Sequence, residues 1–116
     1  MDVEAVVAKR LMDETQIKAY LSVPDDTPDE FLTVEMTSEG GDRFKQSYSL
    51  DVDVWGKDEH ARLRTYEMAH DIMLTVPTLE EEPNIFSPKV TNCYRSADYD
   101  TGRMRYVVQI ELLVCE

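Results

Sequence analysis

Residues 47–54 keep strict alternation: Tyr48, Leu50, Val52 and Val54 fall on one parity, Ser47, Ser49, Asp51 and Asp53 on the other. A helix scatters such a pattern around its circumference, whereas a strand sends it cleanly to two faces. The segment from Phe44 to Trp55 is therefore predicted as a strand with one covered face and one polar face. One wet face is the mark of an antiparallel sheet. The same parity returns near the C-terminus in Tyr106, Val108, Ile110, Leu112 and Val114, so Arg103 to Cys115 is predicted as a second long strand.

The segments that cover such a sheet are legible too. Val3, Val6, Val7 and Leu11 recur at helical spacing behind Asp2, a good N-cap, with acidic Glu4 in the first turn. A second stripe runs through Ala61, Thr65, Met68, Ala69, Ile72, Met73 and Val76, and Lys57-Asp58-Glu59 is predicted to open that helix, with Pro77 ending it. Short strands are expected over Ile17–Val23, Phe31–Met36 and Lys89–Ser96. The stretch Pro24–Asp29 reads as a turn, and Glu39-Gly40-Gly41-Asp42 as the hairpin turn. Residues 77–88, with Glu80-Glu81-Glu82-Pro83 and two further prolines, read as a long mobile acidic loop. The order α, β, β, β, α, β, β predicts one α+β domain over residues 1–116, its sheet antiparallel or mixed, with two helices on one face.

Charge narrows the function. The 116 residues hold 24 acids against 12 Lys and Arg, for a net charge of −12. Groove or phosphate-tracking proteins draw most of their affinity from basic side chains, so specific nucleic-acid binding is disfavoured. Adhesion to anionic lipid is disfavoured for the same reason. No apolar run is long enough to span a bilayer, and the start Met1-Asp2-Val3-Glu4 has no secretory character. Cys93 and Cys115 read as reduced thiols, which suits a cytoplasmic setting.

Candidate chemistry is sparse. His60 and His70, ten apart on the expected helix, stand almost three turns from each other, too far to share one ion. Asp51 and Asp53 share one strand face, a pairing that suits a cation or acid–base chemistry, yet two neighbours on one strand do not straddle a scissile bond. The better reading is a polar sheet face. Neither cysteine has a visible base to activate it. No Gly-x-Ser-x-Gly elbow or phosphate loop is present. Met68 and Met73 read as core filling. Trp55 reads as a cap on the core or an interface residue. No catalytic, cofactor-binding or metal-binding residue is assigned, and no enzymatic activity is expected.

Three segments carry a family resemblance when taken in order: Val23-Pro24 with Pro28-Asp29-Glu30-Phe31, Val52-Asp53-Val54-Trp55-Gly56 before an Ala61-containing helix, and Gly102-Arg103-Met104-Arg105-Tyr106-Val107. Their succession resembles the small tail-terminator, tail-completion and head–tail joining proteins of long-tailed bacteriophages and prophages. The resemblance spans nearly the whole chain. It implies an α+β fold, a homo-oligomeric ring, commonly a hexamer, and partners in the tail tube and head connector, with DNA passing through unbound. It implies a virion location, assembly in the bacterial cytoplasm, no membrane partner and no cofactor. In such a ring, the face bearing Ser47, Ser49, Asp51 and Asp53 is polar enough to line a channel that repels phosphate. The alternative is a small adaptor that binds another protein through a sheet edge or the 77–88 loop.

Overall fold

The computed structural model describes Met1–Glu116. Helix α1 (Val3–Thr15) leads to a two-residue strand β1 (Ala19–Tyr20), then β2 (Phe31–Gly41) and β3 (Gln46–Trp55). Helix α2 (Arg62–Thr75), a 3-10 helix (Val76–Glu81), β4 (Ile85–Arg95) and β5 (Arg105–Val114) complete the chain. The five strands form one sheet in the order β1-β2-β3-β5-β4. Only the β1–β2 pair is parallel, so the sheet is mixed and mostly antiparallel, and the fold is α+β.

Both helices lie on the same side. Val3, Val7 and Leu11 of α1 and Met68, Ala69 and Ile72 of α2 join the even-numbered residues of β3 and β5 in one buried cluster. β2, β3 and β5 thus spend one parity on this core, while β4, whose ladder shifts register twice, reaches it through Ile85, Val90 and Cys93. Burial of each large aliphatic side chain contributes about 1.5–3 kcal/mol. α1 is closed at both ends. Asp2 accepts a hydrogen bond from the Ala5 amide, and Gln16, at φ 63°, returns its amide to the Met12 carbonyl.

Four local expectations change. The hairpin turn sits three residues later than the expected Glu39–Asp42 turn. Gly40 and Gly41 pair with Ser47 and Gln46 inside the ladder, and the tip is Asp42-Arg43-Phe44-Lys45. Asp42 makes this turn through its carboxylate, which accepts from the amides of Phe44 (2.8 Å) and Lys45 (3.0 Å). Side-chain capping of this kind competes with glycine for turn nucleation, and here it prevails while Gly41 supplies the positive φ at the edge of the tip. β3 accordingly begins at Gln46, leaving Phe44 exposed.

Helix α2 starts at Arg62, not at Lys57. The Asp58 carboxylate accepts from the His60 amide and closes a separate turn ahead of the helix. The strand expected over Ile17–Val23 shrinks to Ala19–Tyr20, because the chain must turn back to run parallel into β2.

The fourth correction concerns residues 77–88, which are not a mobile loop. Val76–Glu81 is helical, Leu79 is fully buried in the core, and β4 begins at Ile85. Pro77 caused the misreading. It ends an α-helix from within, but at the first turn of a new helix its missing amide costs nothing. Arg10 of α1 then spans to Glu81 and Glu82, holding this segment to the first helix.

Candidate functional site

The sheet face opposite the helices has no helix over it and is crossed only by the 21–29 segment, and it carries a distinctive aromatic arrangement. Phe31 and Trp55 are direct cross-strand partners, and their rings stack with centroids 5.5 Å apart at 5°. Tyr20 meets Phe31 edge-on at 6.0 Å, and the Arg105 guanidinium lies 4.9 Å from the Trp55 ring centre. Phe31, Trp55 and Val107 are all buried, yet none belongs to the helix-covered core. Tyr20, Phe31 and Trp55 form an aromatic cluster on the open side. Aromatic pairs and cation–π contacts each add about 0.5–1.5 kcal/mol beyond their burial.

The backbone route explains the burial. After β1 the chain crosses this face through Leu21, Ser22 and Val23 before it enters β2. Arg103 ties the crossing down, donating to the Asp29 carbonyl, the Thr27 hydroxyl and the Gly56 carbonyl, with its guanidinium 5.4 Å from the Phe31 ring centre. Trp55 Nε1 donates to Thr33 Oγ1 at 3.0 Å, so the indole is fixed in orientation.

Between the crossing and the sheet lies an open hollow of about 460 Å³, lined by Leu21, Val23, Trp55, Thr33, Glu35, Asp53 and Arg105. Asp53 is the sensitive group here. Burial pushes its carboxyl up to about 6, the nearby Asp51 and Glu35 carboxylates push the same way, and Arg105 opposes them. Arg105 is already committed to the Ser96 carbonyl and hydroxyl. Asp53 forms no ion pair. Asp51, by contrast, accepts from Gln109 Nε2 at 3.3 Å and faces Glu35 across the β2–β3 ladder. Like charges directly opposed on a sheet repel, so this end of the face favours the arrival of a cation.

The structure brings Asp51 and Asp53 together with Glu35, Trp55 and Phe31, and places Ser47 and Ser49 farther along the same face. It separates the histidines. His60 stands in the turn before α2 beside Glu59, while His70 is on α2 against Tyr66, both exposed. Cys93 is partly packed against the core, where burial pushes its thiol up and disfavours the thiolate; Cys115 is also a free thiol. Met68 is fully buried and Met73 packs at the core margin. No group of three or more His, Cys, Asp or Glu is arranged to hold a metal ion. No helix is long and apolar enough to cross a membrane.

Sequence reasoning passed over the open-face role of Trp55 and Phe31. The signal was present: Trp55 shares the parity of Asp51 and Asp53, so it belongs with them and not with the core. Comparison of the sequence with protein-family models and with curated proteins finds no match.

Proposed function

We propose that this protein is a structural, non-catalytic subunit of a phage or prophage tail. Copies of it would close into a ring, with six as the expected number, that ends the tail tube or joins it to the head connector while DNA passes through. The observation that carries this reading is the architecture of the exposed surface. One sheet face is open, and β4 is an eleven-residue edge strand whose outer side pairs with nothing. Long free edges are surfaces that natural proteins either guard or use for assembly. The β2 edge shows such guarding: the Glu4 carboxylate of α1 accepts from the Met36 amide at 2.7 Å, beside the ladder irregularity between Met36 and Ser38. β4 is guarded only in part: its ladder shifts between Phe86 and Lys89 and between Val90 and Asn92, and the Asn92 side chain holds the Cys93 amide, while the rest of its outer side is free to pair.

The resemblance of the ordered segments around Pro24–Phe31, Val52–Gly56 and Gly102–Val107 supports the same role. The net charge of −12 per copy would line any ring with a field that repels phosphate, so a duplex would slide without adhering. Negative-stain imaging tests the reading, with the protein alone and with purified tail tubes. Rings with a central pore, free or seated on tube ends, are expected. A monomer that also leaves tube ends unoccupied would overturn it.

A further inference from the structure

The hairpin tip and the open-face hollow are complementary surfaces at opposite ends of the same β2–β3 ribbon. The tip presents Arg43, Phe44 and Lys45, all exposed, on a molecule whose surface is otherwise dominated by acids. Phe44 leaves 69% of its surface in water, with the Arg43 guanidinium 5.0 Å from its ring centre. Neither Arg43 nor Lys45 takes part in an ion pair, whereas Lys9, Arg10, Arg64 and Lys89 all do. The tip is also rigid, because Asp42 holds both the Phe44 and Lys45 amides. A pre-organised aromatic flanked by two cations loses little entropy on docking.

The hollow offers the reverse pattern. Leu21 and Val23, each about half exposed, and the Trp55 ring form apolar walls, with the carboxylates of Glu35 and Asp53 beside them against the single cation Arg105, which is committed to Ser96. Its volume, about 460 Å³, is within the range that takes a large side chain with its flanking groups. We propose that the Arg43-Phe44-Lys45 tip of one copy docks in the Leu21/Val23/Trp55/Asp53 hollow of a second copy. Phe44 enters against Leu21, Val23 and Trp55, while Arg43 and Lys45 face Asp53 and Glu35.

The occupant must come from another molecule. Asp53 lies seven residues along β3 from Gln46 at the base of the tip, about 23 Å at strand rise, and the paired ladder cannot fold back on itself. Each copy therefore keeps one tip and one hollow, a heterologous contact that propagates and closes into a ring when the rotation allows. Local opposite charge also resolves how subunits of net charge −12 approach at all. The inference rests on the ring reading and names the contact that builds it.

The contact is pH-linked. The charged groups facing Asp53 are Glu35 on β2, Asp51 on its own strand and Arg105 on β5; the chain crossing at Leu21–Val23 adds none. Two incoming cations favour the ionised carboxylate, so association should tighten as pH rises from 5 to 7.

Sedimentation velocity over a wide concentration range tests the contact with four chains: the wild type, Phe44→Ala, the tip reversal Arg43→Glu/Lys45→Glu, and the hollow variant Glu35→Lys/Asp53→Asn. All changed tip positions and Glu35 are exposed, so folding is expected to survive, with circular dichroism as the check. Wild-type association is expected to weaken about thirtyfold in Phe44→Ala, as for a central aromatic anchor. Both charge variants should be monomeric alone. Mixed, the tip reversal still offers a wild-type hollow and the hollow variant a wild-type tip, so a heterodimer, and nothing larger, should form. Rings that persist unchanged in the tip variants would overturn the contact and leave the ring reading standing. A wild-type chain that stays monomeric throughout would overturn the contact too, and imaging on tail tubes would then judge the ring separately.

Discussion

Asp53 and Trp55 lie two residues apart on the same side of β3, and their environments pull in opposite directions. Trp55 gains from burial, from its stack on Phe31 and from its hydrogen bond to Thr33. Trp55→Ala should cost about 3–5 kcal/mol in denaturant titration, since it deletes the largest member of the open-face cluster. Asp53 loses from the same burial. Its carboxyl titrates near 6 in the folded chain against an ordinary value of 3.8, so the folded state holds its proton more tightly than the unfolded state. The contribution of Asp53 to stability therefore falls as pH rises from about 4 to about 6 and is flat above, the reverse of the usual acidic pair. Asp53→Asn should stabilise the monomer at pH 7 by about 1 kcal/mol, a figure reduced for the solvent that still reaches the carboxylate. The gain should vanish at pH 4.

Gly56, just after β3, has a different constraint. A Cβ there would collide with the Thr65 hydroxyl of α2, so the glycine is what lets the helix seat against the end of the strand. Gly56→Ala should destabilise by about 1–3 kcal/mol, and Thr65→Ala in the same chain should recover part of the loss, a coupling that thermal melts of the two single variants and the double variant would expose.

At the scale of elements, the segment after α2 gives the sharpest test. The 3-10 helix Val76–Glu81 buries Leu79 completely, so Leu79→Ala should cost about 2–5 kcal/mol in chemical unfolding. A surface loop would tolerate the same change within about 0.5 kcal/mol. Arg10 supports this element from α1 through Glu81 and Glu82, but its partners are partly in water and its stabilising effect should weaken with salt. The segment was illegible because its run of glutamates and prolines reads as solvated chain, and the single apolar Leu79 carries no periodicity of its own. Helix α1, in contrast, was readable end to end, because Asp2 and the Val3–Leu11 stripe specify cap and buried face independently of anything distant.

For the whole molecule, the sheet order makes β3 and β5 central and β4 the outer strand. Amides of β3 and β5 should exchange with deuterium slowest, and those of the exposed Asp42–Lys45 tip faster than these even though Asp42 holds two of them, since local opening follows burial and pairing. In an assembled ring the tip should become protected, which makes exchange a second readout of the proposed contact.

Local chemistry along the chain was enough to specify the α+β class, the first helix, the two long alternating strands and their core-facing residues. Period and capping act within a few residues and do not depend on the rest of the fold. Tertiary structure alone decided that residues 76–81 pack into the core through Leu79, and above all that Leu21, Val23, Trp55 and Asp53 shared a hollow. That grouping joins β2, β3, β5 and the crossing at Leu21–Val23, and such a meeting depends on strand order and register, which no spacing within one segment encodes.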